Sequence, residues 1–286
     1  KNSMDDATLF QHLKATQLLL ECGVNVHHAR DNDTFQWNAR NGHVNAVQLL
    51  LDRGADIHAK ADIALRWSAA NGHIDVVRLL LRYGADLHEK SDSALRWSAA
   101  NGHADVVKLL LDHYADIHAR DDFALHESAR NRHVKVVQLL LDHGAVVRRL
   151  FSMCFYPLHV ENGVEMLKLL LDRGADVHVQ CDLALRNSAR YGYLNAVQLL
   201  LDHGADVHAC DEEALRNSAK YDFADVVQLL LDHGADVHAC DEEALRVSAK
   251  NGSVKIVQWL LDRGADIHAC DEEALRASSK RGFFEI

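Results

Sequence analysis

The hydrophobic positions along the chain repeat every 30 residues. An apolar run from Val226 to Leu231, interrupted only by Gln228, returns as the run from Ile256 to Leu261. Self-similarity at a fixed period of about 20–50 residues indicates a repeat architecture, in which each unit buries its apolar face against its neighbours. The leucine that ends this run also occurs at Leu20, Leu51, Leu81, Leu111, Leu141, Leu171 and Leu201.

Within one repeat, residues 61–90, the pattern predicts two short helices joined by a turn. Small and apolar residues at 64, 65, 68 and 69 fall on one stripe of a first helix. Gly72 interrupts this pattern, and glycine can end a helix in a left-handed conformation without strain. A second helix carries Ile74, Val77 and Leu81 on one face, and Gly84 ends it. An extended connector and a turn near residues 91–92 are expected to lead into the next repeat.

This unit resembles the ankyrin repeat. The resemblance rests on Asn71-Gly72-His73 between the helices, on the second helix rich in valine and leucine, and on the Gly-Ala-Asp exit at 84–86. It covers essentially the whole chain. It implies an all-α fold, an ankyrin-type helix-turn-helix solenoid whose first helices and connectors form a concave face.

One departure from the ankyrin pattern is systematic. Ordinary ankyrin repeats have about 33 residues and enter the first helix through Thr-Pro-Leu-His, whereas the sequence from Asp211 to Arg216 reads Asp-Glu-Glu-Ala-Leu-Arg. Because the missing residues fall in the hairpin, shortened hairpins are expected. This 30-residue variant looks like the ankyrin arrays of giant DNA viruses, which implies a viral protein.

The period divides the chain into three predicted segments. Residues 1–30 form a partial N-terminal repeat, residues 31–270 form eight repeats, and residues 271–286 form a truncated C-terminal repeat. The stretch 145–163 is irregular, because it gains turn residues and loses first-helix residues. It is interpreted either as a decayed repeat that still packs or as a seam that contacts a partner. The apolar C-terminal end leads us to expect that the sequence is incomplete.

Three residues occupy turn positions where other repeats have glycine. Tyr114 follows a second helix, whereas Arg132 and Asp222 lie between the two helices of their repeats. A left-handed backbone costs a bulky residue about 1–2 kcal/mol. The junction at Tyr114 is therefore a predicted weak point of the array.

Charge and cysteine placement limit the function classes. The formal net charge is −11, with 15 basic and 23 acidic residues from Gly144 onward. This balance disfavours nonspecific nucleic-acid binding. No apolar run approaches the ~18 residues that would span a membrane, so membrane insertion is not expected. Cys210, Cys240 and Cys270 recur at one repeat position, too far apart for disulfides. They are expected to be free thiols in a reducing compartment, the cytoplasm, or in a virion if the protein is viral.

A histidine recurs at one position of the repeats, where it is expected to bond backbone groups of the adjacent connector. No repeat adds a nucleophile or carboxylate beside it that the others lack, so no catalytic residue is assigned and an enzyme is not expected. A zinc site needs four converging ligands, whereas this spacing offers one or two. No metal and no cofactor is therefore predicted. The histidines are His28, His58, His88, His118, His178, His208, His238 and His268.

Other rows are candidate partner-binding surfaces. A tryptophan row shares one first-helix position, and large aromatic residues serve either as interface anchors or as packing between repeats. The predicted hairpin tips are acidic, and they form either a solvated rim or a dock for a basic partner. The assigned residues are Trp37, Trp67, Trp97 and Phe123, then Arg148, Arg149 and Phe151 of the irregular stretch, and Glu212, Glu213, Glu242 and Glu243 at the tips.

These patterns predict a non-enzymatic scaffold or adaptor that binds a protein partner through its concave face and hairpin tips. The alternative is a structural subunit of a larger assembly, for example a viral particle, that packs through its open ends. Self-association or continuation of the chain at the C-terminal end would serve that alternative. A fold of this kind does not name its partner.

Overall fold

The computed structural model describes residues 29–147 and 163–281, and all regular secondary structure in these ranges is α-helical. The N-terminal eight helices, α1 to α8, are Ala29–Arg40, Val44–Asp52, Ala59–Ala70, Ile74–Arg82, Glu89–Ala100, Ala104–Asp112, Ala119–Arg130 and Val134–Asp142. The following eight, α9 to α16, are Gly163–Asp172, Val179–Arg190, Leu194–Asp202, Ala209–Lys220, Ala224–Asp232, Ala239–Asn251, Val254–Asp262 and Ala269–Arg281. The all-α, helix-turn-helix prediction is confirmed.

The chain divides into two compact parts, Lys1–Val146 and Val147–Ile286. In the N-terminal part, first helices α1, α3, α5 and α7 pack side by side in one layer, and second helices α2, α4, α6 and α8 form another layer. The C-terminal part repeats this plan, with first helices α10, α12, α14 and α16 and second helices α9, α11, α13 and α15. Each first helix from α1 to α14 also packs on the second helix that follows it.

The core of each part is a column of leucines spaced by 15 residues, which come alternately from first and second helices. Leu65 of α3 and Leu80 of α4 are almost fully buried. Full burial of a leucine contributes about 1.5–3 kcal/mol, so each repeat is held mainly by the neighbours that cover its leucines. The leucines of this column are Leu50, Leu65, Leu80, Leu95, Leu110, Leu125 and Leu140, then Leu170, Leu185, Leu200, Leu215, Leu230, Leu245 and Leu260.

A left-handed turn takes the place of the short hairpin between successive repeats. At the start of α12, Cys210, Asp211 and Glu212 have φ angles of 55°, 55° and 60°. The right-handed helix begins only after Glu212. Consecutive left-handed residues other than glycine cost roughly 1–2 kcal/mol each, so other contacts must stabilise the turn. The same turn occurs at residues 60–62, 90–92, 120–122, 180–182, 240–242 and 270–272.

The arginine of the Asp-x-x-Ala-Leu-Arg motif supplies such contacts. Arg216 donates from Nε to the carbonyl oxygen of Asp211 over 2.8 Å and from Nη2 to that of Cys210 over 3.2 Å. Arg96, Arg186 and Arg246 bond the carbonyls of their own turns in the same way. These charge-assisted hydrogen bonds offset part of the cost of the left-handed backbone.

A histidine between the helices ties neighbouring repeats together. His73 donates from Nε2 to the carbonyl oxygen of Arg40 in the preceding repeat over 2.9 Å. Its ring lies against Gly42, which has a left-handed backbone with φ of 79°. His103 is placed in the same way on Ala70 and Gly72. Gly42 and Gly72 therefore end a first helix and also contact the histidine ring of the next repeat closely.

The three residues at glycine positions adopt the expected left-handed backbone. The φ angles of Tyr114, Arg132 and Asp222 are 67°, 60° and 62°. The Tyr114 side chain is 89% exposed, so it gains little packing in return for the strain. Asp222 lies between α12 and α13, and the repeat after it carries the small residue Ser253 where the two preceding repeats have Tyr193 and Phe223.

Candidate partner-binding surfaces

The tryptophan row lies along one face of the N-terminal part. Trp37, Trp67 and Trp97 belong to α1, α3 and α5, which pack side by side. Trp37 and Trp97 are 42% and 48% exposed, and Trp67 is half-buried. The Arg40 guanidinium lies 5.0 Å from the centre of the Trp67 ring. The tryptophans therefore contribute to packing between repeats and still present much of their surface to solvent.

Phe123 of α7 extends the tryptophan row by one repeat. Its ring centre lies 6.1 Å from that of Trp97 in an edge-to-face arrangement. The Arg96 guanidinium lies 5.2 Å from the Phe123 ring centre. The structure thus brings these sequence-predicted residues together, and we call Trp37, Trp67, Trp97 and Phe123 the aromatic row.

The expected solvated acidic rim is wrong at two of its assigned residues. Glu212 and Glu242 are only 3% and 4% exposed, and Glu242 accepts a hydrogen bond from the backbone N–H of Asp266 in the following connector. Glu213 and Glu243 remain half-exposed, but they form ion pairs with Arg186 and Arg216 of the preceding repeats. The carboxylates that a basic partner would need are thus largely used within the array.

In four of the described turns, the buried carboxylate bonds the connector 24 residues further along the chain. Asp92 accepts at Oδ1 a hydrogen bond from the backbone N–H of Asp116 over 2.9 Å and another from His88 Nδ1 over 3.1 Å. Asp62 and Asp182 bond the N–H groups of Asp86 and Asp206 in the same way. The sequence analysis identified these residues as acidic hairpin tips but missed their burial, although an acidic residue lies two positions before each Ala-Leu pair.

This network corrects the role expected of the recurrent histidines. The bond to the next connector comes from the carboxylate, whereas the histidine ring bonds that carboxylate. His208 and His238 lie 2.5 Å and 2.6 Å from Glu212 and Glu242, and these hydrogen bonds raise the pKa of both histidines. The histidine side chains remain more than half exposed. His28 lies outside the described residues.

Neither a metal centre nor a membrane span is found in the described ranges. Within residues 29–147 and 163–281, no group of three or more histidine, cysteine, aspartate or glutamate residues could hold a metal ion. No helix in those ranges is long and apolar enough to cross a membrane. Cys210, Cys240 and Cys270 are free thiols, as predicted, and they are exposed together with Cys181. A contact with Cys181 raises the pKa of Cys210.

Some sequence predictions fall outside the described part of the chain. Arg148, Arg149 and Phe151 belong to residues 148–162, and the partial N-terminal repeat lies mostly within residues 1–28. The division into 1–30, 31–270 and 271–286 stays a prediction.

Comparison with known families agrees with the geometry of the repeats. A model of ankyrin repeats in three copies matches residues 4–91, 35–121, 65–150 and 185–271. No curated protein matches the chain. The matched ranges cover well over half of the sequence, and ankyrin repeats are generally protein–protein interaction modules. The chain belongs to the ankyrin repeat family.

Proposed function

We propose that this protein is a non-enzymatic scaffold or adaptor that binds a protein partner through the aromatic row. The observation that supports this proposal is the exposure of Trp37 and Trp97, 42% and 48%, on helices whose core residues Phe35 and Leu95 are fully buried. Tryptophan is enriched among the residues that dominate binding energy in interfaces. A row of partly exposed rings on side-by-side helices offers several such anchors to one partner.

A cation beside the rings indicates the chemistry of the partner surface. The exposed Arg40 lies over the ring of Trp67, whereas Arg96 is buried and bonds the carbonyls of its own turn. A partner that inserts apolar side chains between the rings and places a carboxylate near Arg40 would complement both features. The resemblance to viral ankyrin arrays suggests that such a partner belongs to a host cytoplasm, where the protein would act as an adaptor.

Affinity capture from cytosolic extract, with the full chain as bait, tests the proposal. The altered bait carries Trp37→Ala and Trp97→Ala, and the matched control carries Tyr114→Ala, which removes an exposed ring from the same part of the chain. A partner retained by the control and lost by the altered bait supports binding at the aromatic row. Circular dichroism must show that all three baits are equally folded.

The Kd of the purified partner for wild type and for the tryptophan variant then measures how much the tryptophans contribute to binding. Loss of an interface anchor costs about 2 kcal/mol or more, a factor of roughly 30 in Kd. Equal Kd values for wild type and the tryptophan variant would contradict the assignment of the surface. A bait that recovers chiefly its own chain would instead favour a structural subunit, and sedimentation of the purified chain at low concentration would measure that self-association.

A further inference from the structure

A second exposed surface lies in the C-terminal part, at the C-terminal ends of α10, α12 and α14. Arg190, Lys220 and Lys250 occupy one position of successive repeats there, and Tyr191 and Tyr221 follow the first two of them. All five side chains are exposed, and each tyrosine is 43% exposed. We call these five residues the basic–aromatic strip.

Cations and aromatic faces alternate along the strip. The Arg190 guanidinium lies 5.8 Å from the ring centre of Tyr191 and 5.9 Å from that of Tyr221, so it links two repeats. Lys220 Nζ lies 5.8 Å from the Tyr221 ring centre. The Tyr191 ring stacks on Tyr193 with 5.9 Å between their centres. These contacts hold the strip in place before any partner arrives, which reduces the entropy cost of binding.

The strip is a basic surface on an acidic part of the molecule. None of Arg190, Lys220 and Lys250 forms an ion pair with another residue that the structure describes. A helix C-terminus carries about half a negative charge, which offsets only part of each cation. Asp222 is an exposed carboxylate beside Tyr221 and borders the strip. The remaining positive charge fits an acidic partner.

The spacing of the strip fits one backbone conformation especially well. Helices that pack side by side lie about 8–10 Å apart, and the three cations come from such helices. A polyproline II helix advances about 3.1 Å per residue with three residues per turn, so every third side chain repeats at roughly 9 Å on one side. Exposed aromatic faces are also the surfaces on which proline-rich segments in this conformation dock.

We propose that the basic–aromatic strip binds an acidic, proline-rich segment of a partner protein in the polyproline II conformation, with a carboxylate at every third residue. The carboxylates face Arg190, Lys220 and Lys250, and the prolines between them pack on Tyr191 and Tyr221. This surface lies in the C-terminal part and does not depend on the aromatic row of the N-terminal part.

Fluorescence anisotropy with the full chain tests the proposal. The probe is a fluorescein-labelled peptide of repeating Glu-Pro-Pro triplets. One variant carries Tyr191→Asn and Tyr221→Asn, because asparagine occupies this position at Asn101, Asn131 and Asn251 and is compatible with the fold. We expect saturable binding by wild type and a loss of about tenfold or more in this variant.

Charge variants test the electrostatic part of the proposal. Lys220→Gln should weaken the probe severalfold, whereas Lys168→Gln, which removes an exposed lysine of α9, should leave Kd unchanged. Asp222→Gly, which installs the usual glycine and removes the bordering carboxylate, should tighten binding. Added salt should weaken binding, because exposed charges are screened.

Other probes distinguish the proposed binding mode from its alternatives. A repeating Lys-Pro-Pro peptide should not bind, and a repeating Glu-Gly-Ser peptide should bind several times more weakly, because it is not preorganised. Equal binding of the two acidic probes would overturn the polyproline II assignment, and equal binding by wild type and the tyrosine variant would overturn the site. Tighter, tyrosine-dependent binding of a single-stranded oligonucleotide would also overturn the proposal. The Trp37→Ala, Trp97→Ala variant should bind the probe like wild type, which separates this result from that for the aromatic row.

Discussion

The His73 imidazole lies so close to Gly42 of the preceding repeat that a Cβ at Gly42 would come within 2.5 Å of its Nδ1. His103 approaches Gly72 in the same way, with a corresponding distance of 2.6 Å. Gly84 is equally left-handed, with φ of 90°, but nothing lies within 4 Å of its Cβ position. Gly84 is thus required only for its left-handed backbone. Gly42 and Gly72 are required both for that backbone and because the neighbouring histidine ring leaves no room for a side chain.

Alanine substitutions should separate these requirements. Gly84→Ala is expected to lower the free energy of unfolding by about 1–2 kcal/mol, because only the left-handed backbone opposes a side chain. Gly72→Ala should cost about 1–3 kcal/mol more, because its Cβ also collides with the His103 ring. Urea unfolding of the full chain measures both values. A His103→Ser change should recover part of the Gly72→Ala loss, and equal losses at the two glycines would show that the ring contact has no energetic role.

Tyr114→Gly should stabilise the protein. Tyr114 has φ of 67° and an 89% exposed side chain, so glycine relieves about 1–2 kcal/mol of backbone strain with little loss of packing. Thermal and urea unfolding provide the measurement. Tyr114→Ala is the control, because alanine keeps the strain and should bring no comparable gain. If alanine stabilised the chain as much as glycine, the benefit would come from removing the ring and not from the backbone.

Asp92→Ala should weaken the link between the turn at residues 90–92 and the connector at Asp116. It removes the hydrogen bonds from the Asp116 N–H and from the His88 ring, and the net loss of a hydrogen bond costs about 0.5–1.5 kcal/mol. Asp92→Asn keeps an acceptor for the Asp116 N–H and should cost less. Asp105→Ala removes an exposed carboxylate from α6 and serves as the control. Amide hydrogen exchange at Asp116 would report the local effect, and unchanged protection there in Asp92→Ala would count against the link.

Acidity should stabilise the C-terminal histidine–carboxylate pairs. Hydrogen bonds to Glu212 and Glu242 raise the pKa of His208 and His238 above 6.5 in the folded chain. Their contribution to stability is therefore full below pH 6.5 and is lost as pH rises through the raised pKa values. Burial lowers the pKa of His73, which acts with the opposite sign.

Because of these opposing contributions, the measurement is a difference between two proteins. The free energy of unfolding is followed against pH for wild type and for a variant with His208→Gln and His238→Gln. The advantage of wild type should be largest in mild acid and should shrink towards alkaline pH. NMR titration of the two imidazoles would give their pKa values directly. A pH-independent difference would mean that the pairs are not coupled to protonation in the expected way.

The sequence allowed the repeat, the paired helices and the left-handed positions at Tyr114 and Asp222 to be predicted, because each follows from local spacing and residue type. The position of the acidic side chains could not be predicted in this way. Glu212 and Glu213 are adjacent and chemically identical, yet Glu212 is buried and bonds His208, whereas Glu213 is half-exposed and pairs with Arg186. The difference comes from the left-handed turn, which combines three residues that have no shared preference for that conformation.

The candidate surfaces, too, could be predicted from the sequence only in part. A shared repeat position was enough to group Trp37, Trp67 and Trp97, but the contact of Phe123 with Trp97 depends on the offset between two packed helices. The basic–aromatic strip was not predicted, since Arg190 and Tyr221 are 31 residues apart and become neighbours only when α10 and α12 pack. The sequence period identifies which residues form a row along the array. Contacts between residues of different rows can be identified only from the structure.

The close contact between a glycine and the ring of the following repeat restricts how such an array can evolve. Gly192 faces Phe223 without room for a Cβ, whereas Asp222 is followed by the small Ser253. By analogy with Phe223 over Gly192, a ring at the position of Ser253 would collide with the Asp222 Cβ. Repeats of this protein are therefore not interchangeable copies, and gene duplication would have to carry compatible neighbours together.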